Sequence, residues 1–78
     1  MHYVYILKCN TGQFYKGCTG DLKARYQRHI NGQVPATANI LPVELAFYCA
    51  FKDKYKAYHF EMYLKSGSGI ACMQKGLV

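Results

Sequence analysis

Tyr3-Val4-Tyr5-Ile6-Leu7-Lys8-Cys9, then Asn10-Thr11-Gly12, then Gln13-Phe14-Tyr15-Lys16-Gly17-Cys18-Thr19 is the stretch that decides the fold. Its two arms are rich in aromatic and β-branched residues, which favour a pleated, half-buried surface. The segment between them carries a turn signal. A three-residue loop with glycine last fits a type I turn closed by a glycine bulge. If Cys9 pairs with Gln13, Leu7 pairs with Tyr15. Tyr5 and Tyr15 then leave the sheet on the same face, because side chains alternate with period two. A four-residue loop would put them on opposite faces. Gly17 has no side chain to pack, so in a strand interior it points to a close approach of backbone or ligand.

Working outward, Gly20-Asp21 predicts a helix start, with Asp21 or Thr19 as the cap. Leu22, Tyr26 and Ile30 form an i, i+4, i+8 apolar stripe. Arg25 and His29 are also four apart and border that stripe, so they project toward the sheet. Asn31-Gly32 ends the helix. Gln33 to Pro42 reads as an irregular connection, long for so small a domain, and long loops often border binding sites. Val43 to Phe51 reads as a third strand, with Lys52-Asp53 as a turn or cap. Tyr55 to Lys65 reads as a helix that is apolar on most sides and packs against two neighbours. Ser66 to Gly69 reads as a short break, and Ile70 to Lys75 as a last short helix. The fold class is α/β in the broad sense, of α+β type. A small three-stranded sheet, mixed or antiparallel, is flanked by helices in the order β-β-α-β-α-α.

The totals bound the function. The chain has 78 residues, which is room for one small domain spanning 1–78. Half of its residues are hydrophobic and eight are tyrosine, so it is not a disordered chain. The formal charge of +6 raises the prospect of a polyanionic partner, though the lysines are scattered and no basic arm exists. The four cysteines, Cys9, Cys18, Cys49 and Cys72, form no CxxC pair, and no zinc spacing is present. They read as reduced cysteines of a cytoplasmic protein, with Cys18 and Cys49 packed in or beside the sheet. No signal peptide and no apolar run of membrane-spanning length is evident.

Taken in order, these elements resemble the GIY-YIG nucleases. Tyr3-Val4-Tyr5 stands where that family has its first tripeptide, with Tyr3 in place of glycine. Tyr15-Lys16-Gly17 stands for the second, with Lys16 in place of isoleucine. Asp21-Leu22-Lys23-Ala24-Arg25 with His29 is similar to the family's arginine-bearing helix, and Phe60 to Ser66 to its later, glutamate-bearing helix. The resemblance covers essentially the whole chain, and is nearest to compact members without appended DNA-binding modules.

The resemblance implies hydrolysis of phosphodiesters in DNA with one divalent metal, Mg²⁺ or Mn²⁺, in DNA repair or processing. It implies that Glu61 holds the metal, that Tyr5 activates the attacking water and that Tyr15 orients the water or a phosphate oxygen. Arg25 would bind the scissile phosphate, a task suited to its forked donors. His29 would assist proton transfer or hydrogen-bond Tyr5 or the phosphate. Lys16, Lys23, Arg28, Asn39 and Lys65 are the residues expected to contact nucleic acid. Of the four acids, Asp21 reads as a cap, Asp53 as a turn residue and Glu44 as a strand residue, which leaves Glu61. Magnesium is often held by one carboxylate together with waters and substrate phosphates, so one acid suffices. A tyrosine of ordinary pKa near 10 is a poor base at neutral pH, and a cation would have to favour the phenolate.

Each of these residues has a plainer role available. Tyrosines sit on half-buried strands by default. His29 suits a helix C-terminus through the dipole. Glu61 has an i, i+4 partner in Lys65, a pair worth roughly 0.2–0.5 kcal/mol. Two departures bear on the substrate surface. The last helix is poor in basic residues, and Thr37-Ala38-Asn39-Ile40 has none, which reduces phosphate contacts. A second reading is therefore a nucleic-acid-binding module of the same fold with little or no activity. A third is a protein-interaction domain that dimerises through aromatic surface. A monomer or a weak homodimer is expected.

Overall fold

The computed structural model describes residues 1–72 together with 75 and 76. The elements follow the expected order, β1 (His2–Cys9), β2 (Phe14–Thr19), α1 (Leu22–Ile30), β3 (Val43–Phe51), α3 (Lys54–Leu64) and α4 (Gly67–Cys72). An additional one-turn helix, α2 (Pro35–Ala38), lies inside the connection that reads as irregular. Pro35 at its first turn explains it, since proline is pre-set for that position and loses no needed donor there.

The sheet has the order β2-β1-β3, and both pairings are antiparallel, so of the two expected arrangements only the antiparallel one is realised. The hairpin takes the three-residue loop. Cys9 N donates to Gln13 O at 2.8 Å, Gly12 N donates to Cys9 O at 2.9 Å, and Gly12 adopts φ 85°, open to glycine without strain. Leu7 therefore faces Tyr15, and Tyr5 faces Gly17.

Strand β1 is central and covered on both faces, which is why Val4, Tyr5, Ile6 and Leu7 are all buried in sequence. Val4 and Ile6 pack with Ala57 and Leu64 of α3, joined by Phe14, Phe47, Phe51 and Phe60. Tyr5, Leu7 and Cys9 pack on the other face with Val43, Leu22, Tyr26 and Leu45. Full burial of one such aliphatic side chain contributes about 1.5–3 kcal/mol before entropy is set against it. A register shift between Ile6 and Leu7 leaves Ala46 as an extra residue in β3. That bulge moves Val43 and Leu45 to one face and Phe47, Cys49 and Phe51 to the other. Cys18 and Cys49 are half-buried strand residues, as expected.

Three features of the helices differ from the expected ones. Ile30 is 41% exposed and does not belong to the inward stripe. The inward face of α1 is Leu22, Arg25, Tyr26 and His29, an i, i+3, i+4, i+7 pattern in which a histidine takes the deepest position. The second long helix is not apolar on most sides. Ala57 and Leu64 are buried, whereas Tyr55, Tyr58, Met62 and Tyr63 are exposed, leaving one stripe against the sheet and a contact with α4. Finally, the expected break at Ser66 to Gly69 is the start of α4. Ser66 Oγ accepts from Gly69 N at 3.2 Å, and a Cβ on Gly69 would collide with the backbone of Tyr63 and Leu64. The later part of the expected last helix, residues 73 and 74, lies outside the described residues.

Candidate active site

The edge strand β2 and the helix α1 that follows it build the site. Asp21 caps α1, its Oδ1 accepting from Ala24 N at 3.1 Å, and Asn31 and Gly32 close it. This fixes the helix against the face of the sheet that carries Tyr5. From the central strand, Tyr5 reaches outward over β2. Its ring occupies the space above Gly17, where a Cβ would overlap Oη and Cζ of the phenol. The close approach expected at Gly17, of backbone or ligand, is made instead by a side chain of the site itself.

Three rings meet there. Tyr15 and His29 have centroids 5.1 Å apart, Tyr5 and His29 5.6 Å, and Tyr5 and Tyr15 6.4 Å. A hydrogen bond of 3.0 Å joins Tyr5 Oη to His29 Nε2. On the far side of the imidazole, Nδ1 is 2.8 Å from Thr37 Oγ1. His29 and Thr37 are fully buried and Tyr5 nearly so. Sequence reasoning missed Thr37, because a threonine in an irregular connection carries no signal of its own. Only the depth of His29 and the turn at Pro35 bring it in.

Arg25 is half-buried on the same helix face as His29, four residues before it. Its charge is felt at both neighbours, since it draws the Tyr5 phenol downward and the His29 imidazole downward. Burial lowers the His29 pKa further and is the larger cause, so the ring is neutral at neutral pH. At Tyr5 burial prevails over Arg25. Desolvation first, then Tyr15, with a smaller contribution from Glu61, pushes the phenol up to about 12. The protein's own groups thus hold Tyr5 as the neutral phenol, and a phenolate would need the added cation or metal-bound water that the sequence reading requires.

Glu61 comes from α3, on the other side of the sheet, yet its charge raises both the Tyr5 phenol and the Cys18 thiol. It makes the pair expected with Lys65, Oε2 to Nζ at 2.8 Å, and its side chain is only 15% exposed. That hydrogen bond is the main reason the Lys65 ammonium titrates above its usual range. Among the described residues no cluster of three or more His, Cys, Asp or Glu side chains exists. A dedicated metal cage is therefore absent among them. The donor set fits only a hard cation held by one carboxylate, with waters and a ligand phosphate supplying the rest.

The remaining expected contacts are spread out. Lys16 faces Ile6 across the strands, so it leaves β2 on the α3 side and not on the phenol side. Lys23 is exposed on the first turn of α1, in an open groove of about 510 Å³ that Tyr3, Tyr26 and Tyr48 also line. Arg28 is exposed on α1 and Asn39 is the exposed C-cap of α2. Lys65 alone among them is tied to a site residue, through its ion pair with Glu61.

The profile of the GIY-YIG catalytic domain matches residues 1–70. The chain belongs to the GIY-YIG family. Within that family it is similar to a UPF0213 protein of Lacticaseibacillus paracasei, 43% identical over 65 residues that cover 82% of this chain and 73% of that one. It is similar to the UPF0213 protein CPE1444 of Clostridium perfringens, 39% identical over 66 residues covering 83% and 71% of the two chains. Its fold matches the solution NMR structure of the UPF0213 protein BH0048 from Bacillus halodurans, with a TM-score of 0.60, 32% identity and coverage of 95% of this chain and 82% of that one. Tyr3-Val4-Tyr5 and Tyr15-Lys16-Gly17 are thus this GIY-YIG domain's forms of the two family tripeptides, and its hairpin register sets their phenols side by side.

Proposed function

We propose that this GIY-YIG domain is a divalent-metal-dependent endonuclease that hydrolyses phosphodiester bonds in DNA, directed by structure and not by sequence, in DNA repair or processing in the cytoplasm. The observation that carries the reading is the convergence of buried Tyr5 and His29 with half-buried Tyr15 into one cluster flanked by Arg25 and Glu61. Arg25 holds a phosphate and the charge that builds on it during attack, since its donors make no hydrogen bond or ion pair among the described residues. Tyr5 receives a proton from the attacking water, and Tyr15 orients that water or a phosphate oxygen. Glu61 is the residue that would hold Mg²⁺ or Mn²⁺, and the ion would supply charge neutralisation at the phosphate. Lys16, Lys23, Arg28, Asn39 and Lys65 contact the backbone. Such contacts position a strand without reading it, which is why low sequence specificity is expected.

One observation favours a second reading, a nucleic-acid-binding module without turnover. Glu61 is already paired with Lys65, which competes with a cation for the carboxylate. A single experiment separates the two. Labelled single-stranded, duplex and branched DNA is incubated with the protein and Mg²⁺ or Mn²⁺. Metal-dependent products that vanish in Arg25→Ala and Glu61→Ala support the nuclease. Salt-dependent binding without product under either metal supports the module.

A further inference from the structure

Tyr5 Oη, His29 Nε2, His29 Nδ1 and Thr37 Oγ1 form one buried chain, and the chain continues to the carbonyl of Val34, 3.5 Å from Thr37 Oγ1. Three polar hydrogens must be placed on it when the imidazole is neutral: the phenol proton, one ring proton and the threonine proton. Two arrangements exist. In the first, Thr37 donates to Nδ1, Nε2–H donates to Tyr5 Oη, and the phenol proton points away. Tyr5 is 1% exposed and, among the described residues, that proton meets no second acceptor until a water is seated at Oη, so this arrangement is the poorer one in the resting chain. In the other, Tyr5 donates to Nε2, Nδ1–H donates to Thr37 Oγ1, and Thr37 donates to the Val34 carbonyl, which can only accept. Each of the three hydrogens then has a partner.

We propose that Thr37 is a positioning residue that fixes His29 as the Nδ1–H tautomer, so that Nε2 accepts the Tyr5 proton and Tyr5 presents a lone pair, not a hydrogen, to the site. The inference rests on the proposed hydrolysis for its consequence, but the tautomer itself does not. The consequence is which way protons run. With its hydrogen committed to Nε2, Oη can only receive from the water that attacks. As the water O–H bond breaks, a new O–H bond forms at Oη. The original phenol O–H breaks as Nε2–H forms, and the imidazolium keeps Nδ1–H on Thr37. Tyr5 is then a relay and neutral His29 the terminal base. The relay also removes the difficulty of the raised phenol. At pH 7 a group of pKa about 12 is ionised only to ~10⁻⁵, so a preformed phenolate is a negligible species. The groups that face this chain are Tyr15 from β2, Arg25 from α1, and Glu61 from α3, with Cys18 beside Glu61.

The test reads the tautomer directly. His2 and His59 lie outside the site, so a His2→Gln, His59→Gln protein labelled with ¹⁵N-histidine reports His29 alone. Long-range ¹H–¹⁵N spectra near pH 7.5 are expected to show Nδ1 with a protonated, pyrrole-type shift and Nε2 with an unprotonated, pyridine-type shift. The reverse assignment overturns the proposal, and needs no site variant to do so. Thr37→Val removes the acceptor while keeping the shape. It is expected to move the ring toward Nε2–H, to lower kcat for DNA cleavage roughly 10-fold to 100-fold, and to shift the acid limb of the pH–rate profile. Thr37→Ser keeps an oxygen there and is expected to restore the tautomer and the profile. Wild-type kcat in Thr37→Val with the tautomer shifted also overturns the proposed role. If the wild-type protein cuts no DNA, the nuclease reading fails, and the ¹⁵N spectrum still decides Thr37 by itself.

Discussion

Gly17 and Tyr5 face each other across β1 and β2, and the phenol of Tyr5 lies where a side chain on Gly17 would stand. Glycine here is a matter of space, not of backbone angle. Gly17→Ala must push the ring off β2 and away from His29. Overpacking of this kind costs about 1–3 kcal/mol, and a displaced reacting group lowers rate on the order of 100-fold. Urea unfolding and a cleavage assay check both parts. A double-mutant cycle sharpens them, because Gly17→Ala should be nearly harmless to stability once Tyr5→Ala has emptied the space. Equal cost in both backgrounds would show that the ring is not what the methyl group meets.

Burial of His29 makes stability depend on acid. The native imidazole titrates below its ordinary 6.5, chiefly through desolvation and then through Arg25. Between that depressed value and 6.5 the unfolded chain binds a proton that the native chain refuses, so stability falls as pH falls through this window and is complete above it. At the other end, Tyr5 keeps its proton up to about 12, while an unfolded tyrosine releases it near 10, so stability falls again as pH rises above 10. Denaturation midpoints measured from pH 5 to pH 8 are expected to drop on the acid side, and His29→Gln should flatten that drop. An unchanged acid slope in the variant would assign the loss to other groups.

What could be read from sequence, and what could not, follows the range of the signals. The hairpin was legible because glycine at the end of a three-residue loop selects one turn, and that turn sets the register of Tyr5 against Gly17. The Asp21 cap is equally local. By contrast, the apolar stripe of α1 pointed to Ile30, while the buried position belongs to His29, because Tyr5 and Thr37 satisfy both ring nitrogens. A polar residue can be core only when distant partners supply its hydrogen bonds, and periodicity does not carry that information. Thr37 was silent for the same reason. The bulge at Ala46 and the close seating of Gly69 on α3 are also properties of packing. Serine and glycine between two helices look like a break until the neighbouring backbone needs the room.

Arg25 and Glu61 should separate by what rescues them. Arg25→Lys keeps the charge but loses the fork, and is expected to recover little of the roughly 10²–10³-fold loss of cleavage in Arg25→Ala. Glu61→Gln keeps size and removes charge, and should be as inactive as Glu61→Ala at every Mg²⁺ concentration. Circular dichroism on each variant guards against unfolding. Full activity of Arg25→Lys would mean that a point charge is enough and that two-pronged contact is not used.

Lys65 sits in an ambiguous place, because it is both the partner of Glu61 and a candidate phosphate contact. The two roles predict opposite changes in Lys65→Met. As a helix-surface pair the interaction contributes at most about 0.5 kcal/mol, so the variant should fold with nearly unchanged stability. Removing a positive charge next to the Glu61 carboxylate should strengthen metal binding, since the cation no longer competes with an ammonium or is repelled by it. A gain of roughly threefold to tenfold in Mn²⁺ affinity without DNA is expected, read by electron paramagnetic resonance, equivalent to about 1 kcal/mol of Coulomb energy at short range in high dielectric. DNA affinity should fall and its dependence on salt should become less steep by about one phosphate contact. If Mn²⁺ affinity is unchanged while DNA binding weakens, Lys65 serves only the backbone and the cation binds elsewhere than Glu61. If Mn²⁺ affinity rises and DNA binding is untouched, its purpose is to hold the carboxylate until metal and substrate arrive together.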